Sequence, residues 1–434
     1  MRELLLDLYG AALRAADPVA AVHRELAERP LPSRLPVHLI AVGKAARGMA
    51  QAAVAHCHDA GLPLAGGVVV VPTAGPPINR SLRILIGDHP VPGAGSAGAA
   101  EAVAEAISAM PAGRQAVVLI SGGASSLVAA PVHGVAPEDL RALWTFVLAS
   151  GLDIRAMNAL RKRCLRWGAG RLAGALAPRP VRVLCMSDVI GDDPGTVGSG
   201  PAAPDPLWAR DVFPMLEAAF GEREIPPTVR RLLELQASGA LPDTPKPGDA
   251  AFEQVTTHVI ASNRLAVLGV VARARELGLS ALAGASDLAG EASDAGMRIG
   301  AFLRAGGGGA NCFVWGGETT VALGTGAAGR GGRCQELALA AAAELDDVPG
   351  VALLAAGTDG RDGPTDAAGA LVDGKTWSRI AERGRDPEAD LRQHEAYDAL
   401  EAAEALLRTG PTGTNVMDVV IGLRQRSGNG PAGG

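Results

Sequence analysis

Short apolar runs of strand length alternate along this chain with Ala-rich amphipathic stretches of helix length, from about position 37 to 187 and again from 255 to about 354. Such alternation is the pattern of strand-helix-strand units, in which helices cover the faces of a parallel sheet. It predicts a parallel α/β sheet twice over. The strands it predicts are 37–42, 67–71, 82–86, 116–121 and 181–187, then 257–261, 311–315, 351–355 and 419–423, with helices after most of them. Between 224 and 249 the composition shifts to Pro226-Pro227 and Pro242-Asp243-Thr244-Pro245-Lys246-Pro247-Gly248, the make-up of a connector between domains. The expected domains are therefore 1–240 and 250–426, with 306–309 a glycine loop and 427–434 a frayed tail. No repeat of solenoid period is present.

Composition narrows the function classes. The 434 residues are 48% hydrophobic, carried by Ala, Leu and Val, which suits helices packed on parallel strands. With 40 Lys+Arg against 46 Asp+Glu, a net charge of -6, five Trp, two Tyr and six Phe, the chain offers neither a basic stripe nor stacking aromatics. No nucleic-acid partner is expected. The five cysteines, Cys57, Cys164, Cys185, Cys312 and Cys334, form no CxxC pair and no disulfide framework, so they read as reduced thiols of a cytoplasmic protein. Acids stand inside the apolar N-terminal stretch, Met1-Arg2-Glu3-Leu4-Leu5-Leu6-Asp7, which fits no signal peptide. The uncharged spans 61–79 and 115–137 are cut by Pro63, Pro72, Pro76 and Pro77 and by Gly122, Gly123 and Pro131, so no membrane helix is expected.

Three motif matches are discounted on context. Gly369 to Thr376 fits GxxxxGK[ST] letter for letter, but it follows Pro364-Thr365-Asp366 and places apolar Leu371 and Val372 inside the would-be phosphate loop. Lys375 is therefore expected on the solvated surface. Gly93 to Gly98 and Gly324 to Gly329 fit GxGxxG, yet neither has an acidic ribose partner in the expected place, and the first is separated from its strand by Pro90 and Pro92. In His56-Cys57-His58, residues two apart on a helix face different ways, so a metal site is not expected there.

Ligands of open α/β sheets bind at the carboxyl ends of strands, and here those ends carry small, polar, glycine-rich turns. They are Gly43-Lys44-Ala45, Ser121-Gly122-Gly123-Ala124-Ser125-Ser126, Ser187 to Asp193, Gly316-Gly317-Glu318-Thr319-Thr320 and Gly357 to Gly363. Gly329 to Arg333 and Thr409 to Asn415 are two further polar segments. Together they hold glycines and hydroxyls able to cradle an anion, one Lys and one Arg for charge, and carboxylates suited to a hard cation. That is the part set of phosphoryl transfer, where catalysis is mostly positioning and charge neutralisation and Mg2+ bridges the phosphates. Taken singly, Asp188, Asp192 and Asp193 serve equally as caps or as metal ligands. Lys44 stands out, because the chain has only four lysines against 36 arginines.

In this order the segments resemble the class II glycerate kinases, the glycerate 2-kinase family with a MOFRL-type C-terminal region, once labelled hydroxypyruvate reductases. The resemblance runs through Val42-Gly43-Lys44-Ala45, Asp88-His89-Pro90-Val91-Pro92, Ser121 to Ser126, Asn158 to Lys162, Ser187 to Asp193, Ser199-Gly200-Pro201, Gly316 to Thr320, Gly331-Gly332-Arg333, Gln335-Glu336, Gly357 to Asp373 and Thr412 to Asn415. It covers nearly the whole chain. The chain departs from the family at Cys334, Met417 and Ile190, and at Lys375, where a small hydroxyl residue is usual. The resemblance implies two unlike three-layer α/β domains with mostly parallel sheets, a Rossmann-like one first and a MOFRL-type one second, and the active site in the interdomain cleft. It also implies that residues 1–35 can pack on the second domain.

Its implied activity is transfer of the γ-phosphoryl of ATP to the 2-hydroxyl of D-glycerate, with Mg2+, by a monomer or homodimer. The charged groups on the transferred phosphoryl or the glycerate carboxylate would be Lys44 and Arg333. Asp188 and Asp193 would ligate Mg2+ or orient the attacking hydroxyl. Ser121, Gly122, Gly123, Ser125 and Ser126 would hold an anion at a helix start. Glu318, Asp359, Thr414 and Asn415 would wall the second-domain side. Two alternatives stay open: an NAD(P)-dependent hydroxypyruvate reductase, and a regulator that binds nucleotide or glycerate without catalysis.

Overall fold

The computed structural model describes residues 1–31, 35–149, 154–220, 226–284, 287–306, 309–323 and 329–425. The 427–434 tail and most of the 324–329 glycine motif lie outside them, as do two residues of the 306–309 loop. The chain divides into two compact units, Pro18–Ile260 and the combination of Met1–Asp17 with Ala261–Gly434.

The first unit is built on six strands: β1 Val37–Val42, β2 Leu64–Val71, β3 Leu82–Ile86, β4 Gln115–Ile120, β5 Val181–Met186 and β6 Val255–Ala261. They lie in the order β3-β2-β1-β4-β5-β6, and the pairings from β3 through β5 are all parallel. β-Branched runs such as Val68 to Val71 and Val117-Val118 fit the pleated, doubly covered interior. Helices Ala94–Ser108 and Arg171–Leu176 close over them with Ala99, Ala100, Val103, Ile107, Leu172 and Leu176. A second core of Leu140, Leu143, Trp144, Leu160, Val212, Val229 and Leu233 joins helices outside the sheet.

The expected connector is part of this unit. Arg163 is 0% exposed and lies 3.4 Å from Asp205. It donates to Asp243 and, at 2.7 Å, to Leu207 O, while Thr244 Oγ1 donates to Asp205 at 3.0 Å. A buried guanidinium requires such partners, so the Pro-rich segment is pinned rather than free. The chain then returns to the first sheet as β6, and the unit boundary falls at 260 instead of between 240 and 250.

The second unit holds β7 Ala281–Ala283, β8 Cys312–Gly317, β9 Val351–Gly357, β10 Gly369–Asp373, β11 Leu406–Leu407 and β12 Asp418–Arg424, ordered β11-β10-β9-β12-β8-β7. Here the parallel expectation fails. Among the described residues only β7 with β8 pairs as parallel strands, and the other four strand pairings are antiparallel. The physical reason is connection length: β9 reaches β10 through a loop with no helix, too short for a crossover. The last strand, β12, inserts antiparallel between β8 and β9, which run in one direction and are linked through helix Arg333–Leu345. That helix is apolar almost all round, with Ala338 and Ala340 to Ala342 at 0% exposure, as a helix enclosed by its own unit must be. Helix Arg2–Ala15 also belongs to this unit, whereas helix Pro18–Glu28 belongs to the first. All five cysteines are free and buried. Among the described residues no helix is long and apolar enough to cross a membrane.

Candidate active site

Adjacent parallel strands β1, β4 and β5 open their carboxyl ends along one edge of the first sheet. Val42 pairs with Ile120 and Ile120 with Cys185, so Gly43-Lys44, Ser121-Gly122 and Ser187-Asp188 leave the sheet side by side. Strand order reverses between β1 and β4, the place where open α/β sheets take their ligands. Two hydrogen bonds stitch the turns together, from Lys44 N–H to Gly122 O at 2.9 Å and from Ala45 N–H to Ser121 Oγ at 3.0 Å. Glycine is required at two contacts. A Cβ on Gly43, whose φ is +135°, would lie 2.1 Å from Ser121 Oγ, and one on Gly122 would lie 2.0 Å from Asp188 Oδ2.

The Asp188 carboxylate thus rests on the Gly122 backbone. Burial pushes its pKa up, and the Lys44 ammonium opposes the shift. Lys44 itself is exposed. Among the described residues the N–H groups of Gly122, Gly123 and Ala124 donate to no acceptor. The helix behind them, Ala124–Leu127, has four residues, so its dipole is small and the loop N–H groups are what an anion would meet. The hydroxyls expected to bind anions brace the loop: Ser125 Oγ meets Ser199 Oγ at 2.8 Å, and Ser126 Oγ donates to Pro90 O at 2.9 Å. Asp193 closes its own turn, accepting Gly195 N–H on one oxygen and Thr196 Oγ1 on the other, both at 2.9 Å. Among the described residues no three His, Cys, Asp or Glu side chains are grouped to hold a metal ion.

One neighbour of this cluster was not assigned a role from sequence. A Cβ on Gly123 would lie 3.1 Å from His89 Nε2 and 3.5 Å from Lys44 Cγ. Burial, then the Lys44 charge, hold the His89 imidazole below its usual pKa. The Asp88 carboxylate accepts Ser96 N–H at 3.0 Å near the start of helix Ala94–Ser108. An acid therefore already occupies the helix start that the Gly93 to Gly98 match would have given to a pyrophosphate.

In the second unit β12 brings a further group. Asp418 pairs with Gly317 on one side and Gly357 on the other, so its side chain stands where β8 and β9 end. It is 2% exposed and takes Arg333 in a fork, from Nε at 2.5 Å and from Nη2 at 2.9 Å. Glu318 closes on Nη1 at 2.6 Å. Burial works to lower the guanidinium pKa, but the bonds to Asp418 and the charges of Asp418 and Glu318 raise it above its usual value. Arg333 opens helix Arg333–Leu345, whose second and third N–H groups, of Cys334 and Gln335, donate to Asp362 at 3.2 and 2.8 Å.

Burial pushes the Asp362 carboxyl up to about 6 against these bonds and the Arg333 charge. Tyr9 reaches in from the N-terminal helix to donate to Gly357 O at 2.6 Å. The other expected residues hold turns. Asp359 accepts Arg361 N–H at 3.0 Å, Thr414 Oγ1 donates to Ala16 O at 2.6 Å, and Asn415 Oδ1 accepts Met417 N–H at 3.3 Å. A cavity of about 440 Å3 opens beside Arg333, lined also by Glu318, Glu336, His394 and Gly331-Gly332.

The Asp362 geometry yields a pH prediction. Its proton is held more tightly in the fold, near pH 6, than in the unfolded chain, near 3.8, so its contribution is full below pH 4 and is lost as pH rises through 6. Asp362→Asn should flatten that loss, read as a smaller fall in urea midpoint between pH 4 and pH 6.5 than wild type shows. An equal fall in both proteins would refute the assignment.

The first five residues of the GxxxxGK[ST] match, Gly369 to Asp373, are strand β10. Its backbone is paired with β9, which leaves no loop N–H groups for phosphate. Lys375 is exposed, and Thr376 Oγ1 is spent on Asp373 at 3.0 Å. A larger cavity, about 620 Å3, borders Lys375, but Asp347, Asp373 and Glu404 share its wall with Arg2 and Arg379, and none of the glycine-rich strand-end turns reaches it.

Residues 4–234 match the model of a domain of unknown function, DUF4147, and 311–418 match that of the MOFRL family. A glycerate 2-kinase of Pyrococcus horikoshii is 35% identical over 98% of this chain and 97% of its own. A protein of Agrobacterium vitis, provisionally named hydroxypyruvate reductase, is 37% identical over 96% and 93%. The crystal structure of a glycerate kinase of Thermotoga maritima superposes with a TM-score of 0.85 at 35% identity, covering 98% of this chain and 99% of the other.

Proposed function

Because the chain belongs to the glycerate kinase family, we propose that it transfers the γ-phosphoryl group of ATP to the 2-hydroxyl of D-glycerate, giving 2-phosphoglycerate. The observation that carries the reading is the Lys44 turn. An ammonium, three consecutive N–H groups with no acceptor among the described residues and a carboxylate converge at the switch point of a parallel sheet. Such a site binds a polyanion and stabilises charge spread over transferring phosphoryl oxygens.

In this reading Lys44 and the N–H groups of Gly122 and Gly123 hold phosphoryl oxygens, and the Ser121, Ser125 and Ser126 hydroxyls keep that loop in place. Arg333 serves the glycerate carboxylate or the transferred group. Asp418 fixes its orientation, and the more exposed Glu318 gives way to an incoming anion. Asp359, Thr414 and Asn415 shape the turns around it.

A magnesium ion that arrives on nucleotide phosphates needs only one or two protein carboxylates. Asp188, partly buried and facing Lys44, fits that need, while Asp193 braces its turn. An ion held there would supply charge neutralisation on the phosphates.

Asp188→Asn is expected to lower turnover by about 10²-fold or more and to raise the Mg2+ concentration needed for half-maximal rate. Unchanged metal dependence would contradict this role. The reading as a whole is tested by ADP release with D-glycerate beside NADH oxidation with hydroxypyruvate. ADP release alone supports it, and NADH oxidation alone replaces it with the reductase.

A further inference from the structure

We propose that His89 is a catalytic residue whose Nε2 accepts the proton of the attacking hydroxyl, an inference that rests on the kinase reading above. Its neighbours hold it in place. On one side Asp88 N–H donates to Ser96 Oγ at 2.9 Å, and Ser96 N–H donates back to the Asp88 carboxylate at 3.0 Å. On the other, Ser126 Oγ from the anion loop donates to Pro90 O. The ring is thereby carried over Gly123, where a side chain would stand 3.0 Å from Cδ2 and 3.1 Å from Nε2, tighter than ordinary packing allows. Glycine there leaves the imidazole in contact with the loop whose N–H groups face the site. Among the described residues the ring makes no hydrogen bond, and the residue as a whole keeps enough surface, though its ring is partly desolvated, for an incoming ligand to reach it.

Elimination within the cluster points the same way. The charged groups at this loop are Lys44, whose charge acts on the ring, Asp188, which lies against Gly122, and Asp88, the ring's chain neighbour. Lys44 is a donor only. Asp88 is committed to Ser96. Asp188 lies against Gly122 beside the ammonium, which suits it to a cation. The imidazole is the remaining group with an open acceptor nitrogen, and burial together with the nearby ammonium disfavours its protonated form.

The step balances as follows. The hydroxyl O–H bond breaks and its proton goes to Nε2, forming the imidazolium. The oxygen's electron pair forms the new O–P bond to the γ-phosphorus. The bond from that phosphorus to the β,γ-bridging oxygen breaks, its electron pair leaving on ADP, and the imidazolium later returns its proton to water.

The test uses the full chain as wild type, His89→Ala and His89→Gln, with steady-state rates on MgATP and D-glycerate, ATP-analogue affinity by calorimetry, and added imidazole. Both variants should lose about 10²-fold or more in kcat with analogue affinity near wild type. Free imidazole should restore part of the rate to His89→Ala, which has an empty space, and none to His89→Gln. Rates near wild type in both variants, full activity in His89→Gln, or loss without rescue would each overturn the proton step. A wild type that phosphorylates glycerate beside unaffected variants fails this inference alone. A wild type without that activity fails the kinase reading first and this one with it.

Discussion

Lys44→Ala should abolish turnover while the protein stays folded, and Lys375→Ala should change almost nothing. Lys44 follows a buried strand, is exposed, and sits between Gly123 and Asp188, so its removal strips the site of its ammonium without opening a core. Groups that stabilise charge at a transferring phosphoryl are worth about 10²-fold or more in rate. Lys375 is a surface residue after a fully paired strand, and substitutions at such places usually stay within about 0.5 kcal/mol. Circular dichroism, kcat and nucleotide affinity on both variants make the comparison. The reverse pattern would make the 369–376 segment a true phosphate loop and move the nucleotide site to the other unit.

Arg333 should be the second essential cation, and its variants should separate geometry from charge. Arg333→Lys keeps a positive group but loses the fork that grips both oxygens of Asp418, so turnover should fall by about 10²-fold in a folded protein. Arg333→Ala should lose at least as much and also strand the Asp418 carboxylate, which is 2% exposed. That stranding should cost on the order of 2 kcal/mol, less than for a fully buried pair because the guanidinium is 34% exposed. Urea unfolding beside kcat measures both effects. Full activity in Arg333→Lys would mean that only charge matters there, and unchanged stability in Arg333→Ala would mean that Asp418 does not depend on its partner.

Much of this was legible because strand ends carry distinctive chemistry. The apolar runs ending at Val42, Ile120 and Met186 located β1, β4 and β5, and the Gly-Lys, Ser-Gly-Gly and Ser-Asp turns after them are the residues that the sheet brings together. What could not be read was pairing. An apolar run of five to seven residues looks the same in parallel and antiparallel partners, so nothing in residues 419–423 announced that β12 enters between β8 and β9.

Asp418 was missed for that reason. An acid before a strand resembles a turn residue until the strand's neighbours are known. The Pro242 to Gly248 segment misled in the opposite way. Its composition is that of a linker, and only the burial of Arg163, far away in sequence, shows why Asp243 and Thr244 are fixed. His89 was visible as part of a motif, but its contact with Gly123 depends on Asp88 and Ser126, which no local pattern connects.

The central claim is that the phosphoryl group goes to the 2-hydroxyl of D-glycerate, and one measurement addresses it directly. The purified full chain is incubated with MgATP and D-glycerate, and the product is coupled to enolase in the absence of phosphoglycerate mutase. Immediate formation of phosphoenolpyruvate, matching the ADP released, is the predicted result, because enolase dehydrates only the 2-phosphate. Signal that appears only after the mutase is added would place the phosphate on the 3-hydroxyl and contradict the account.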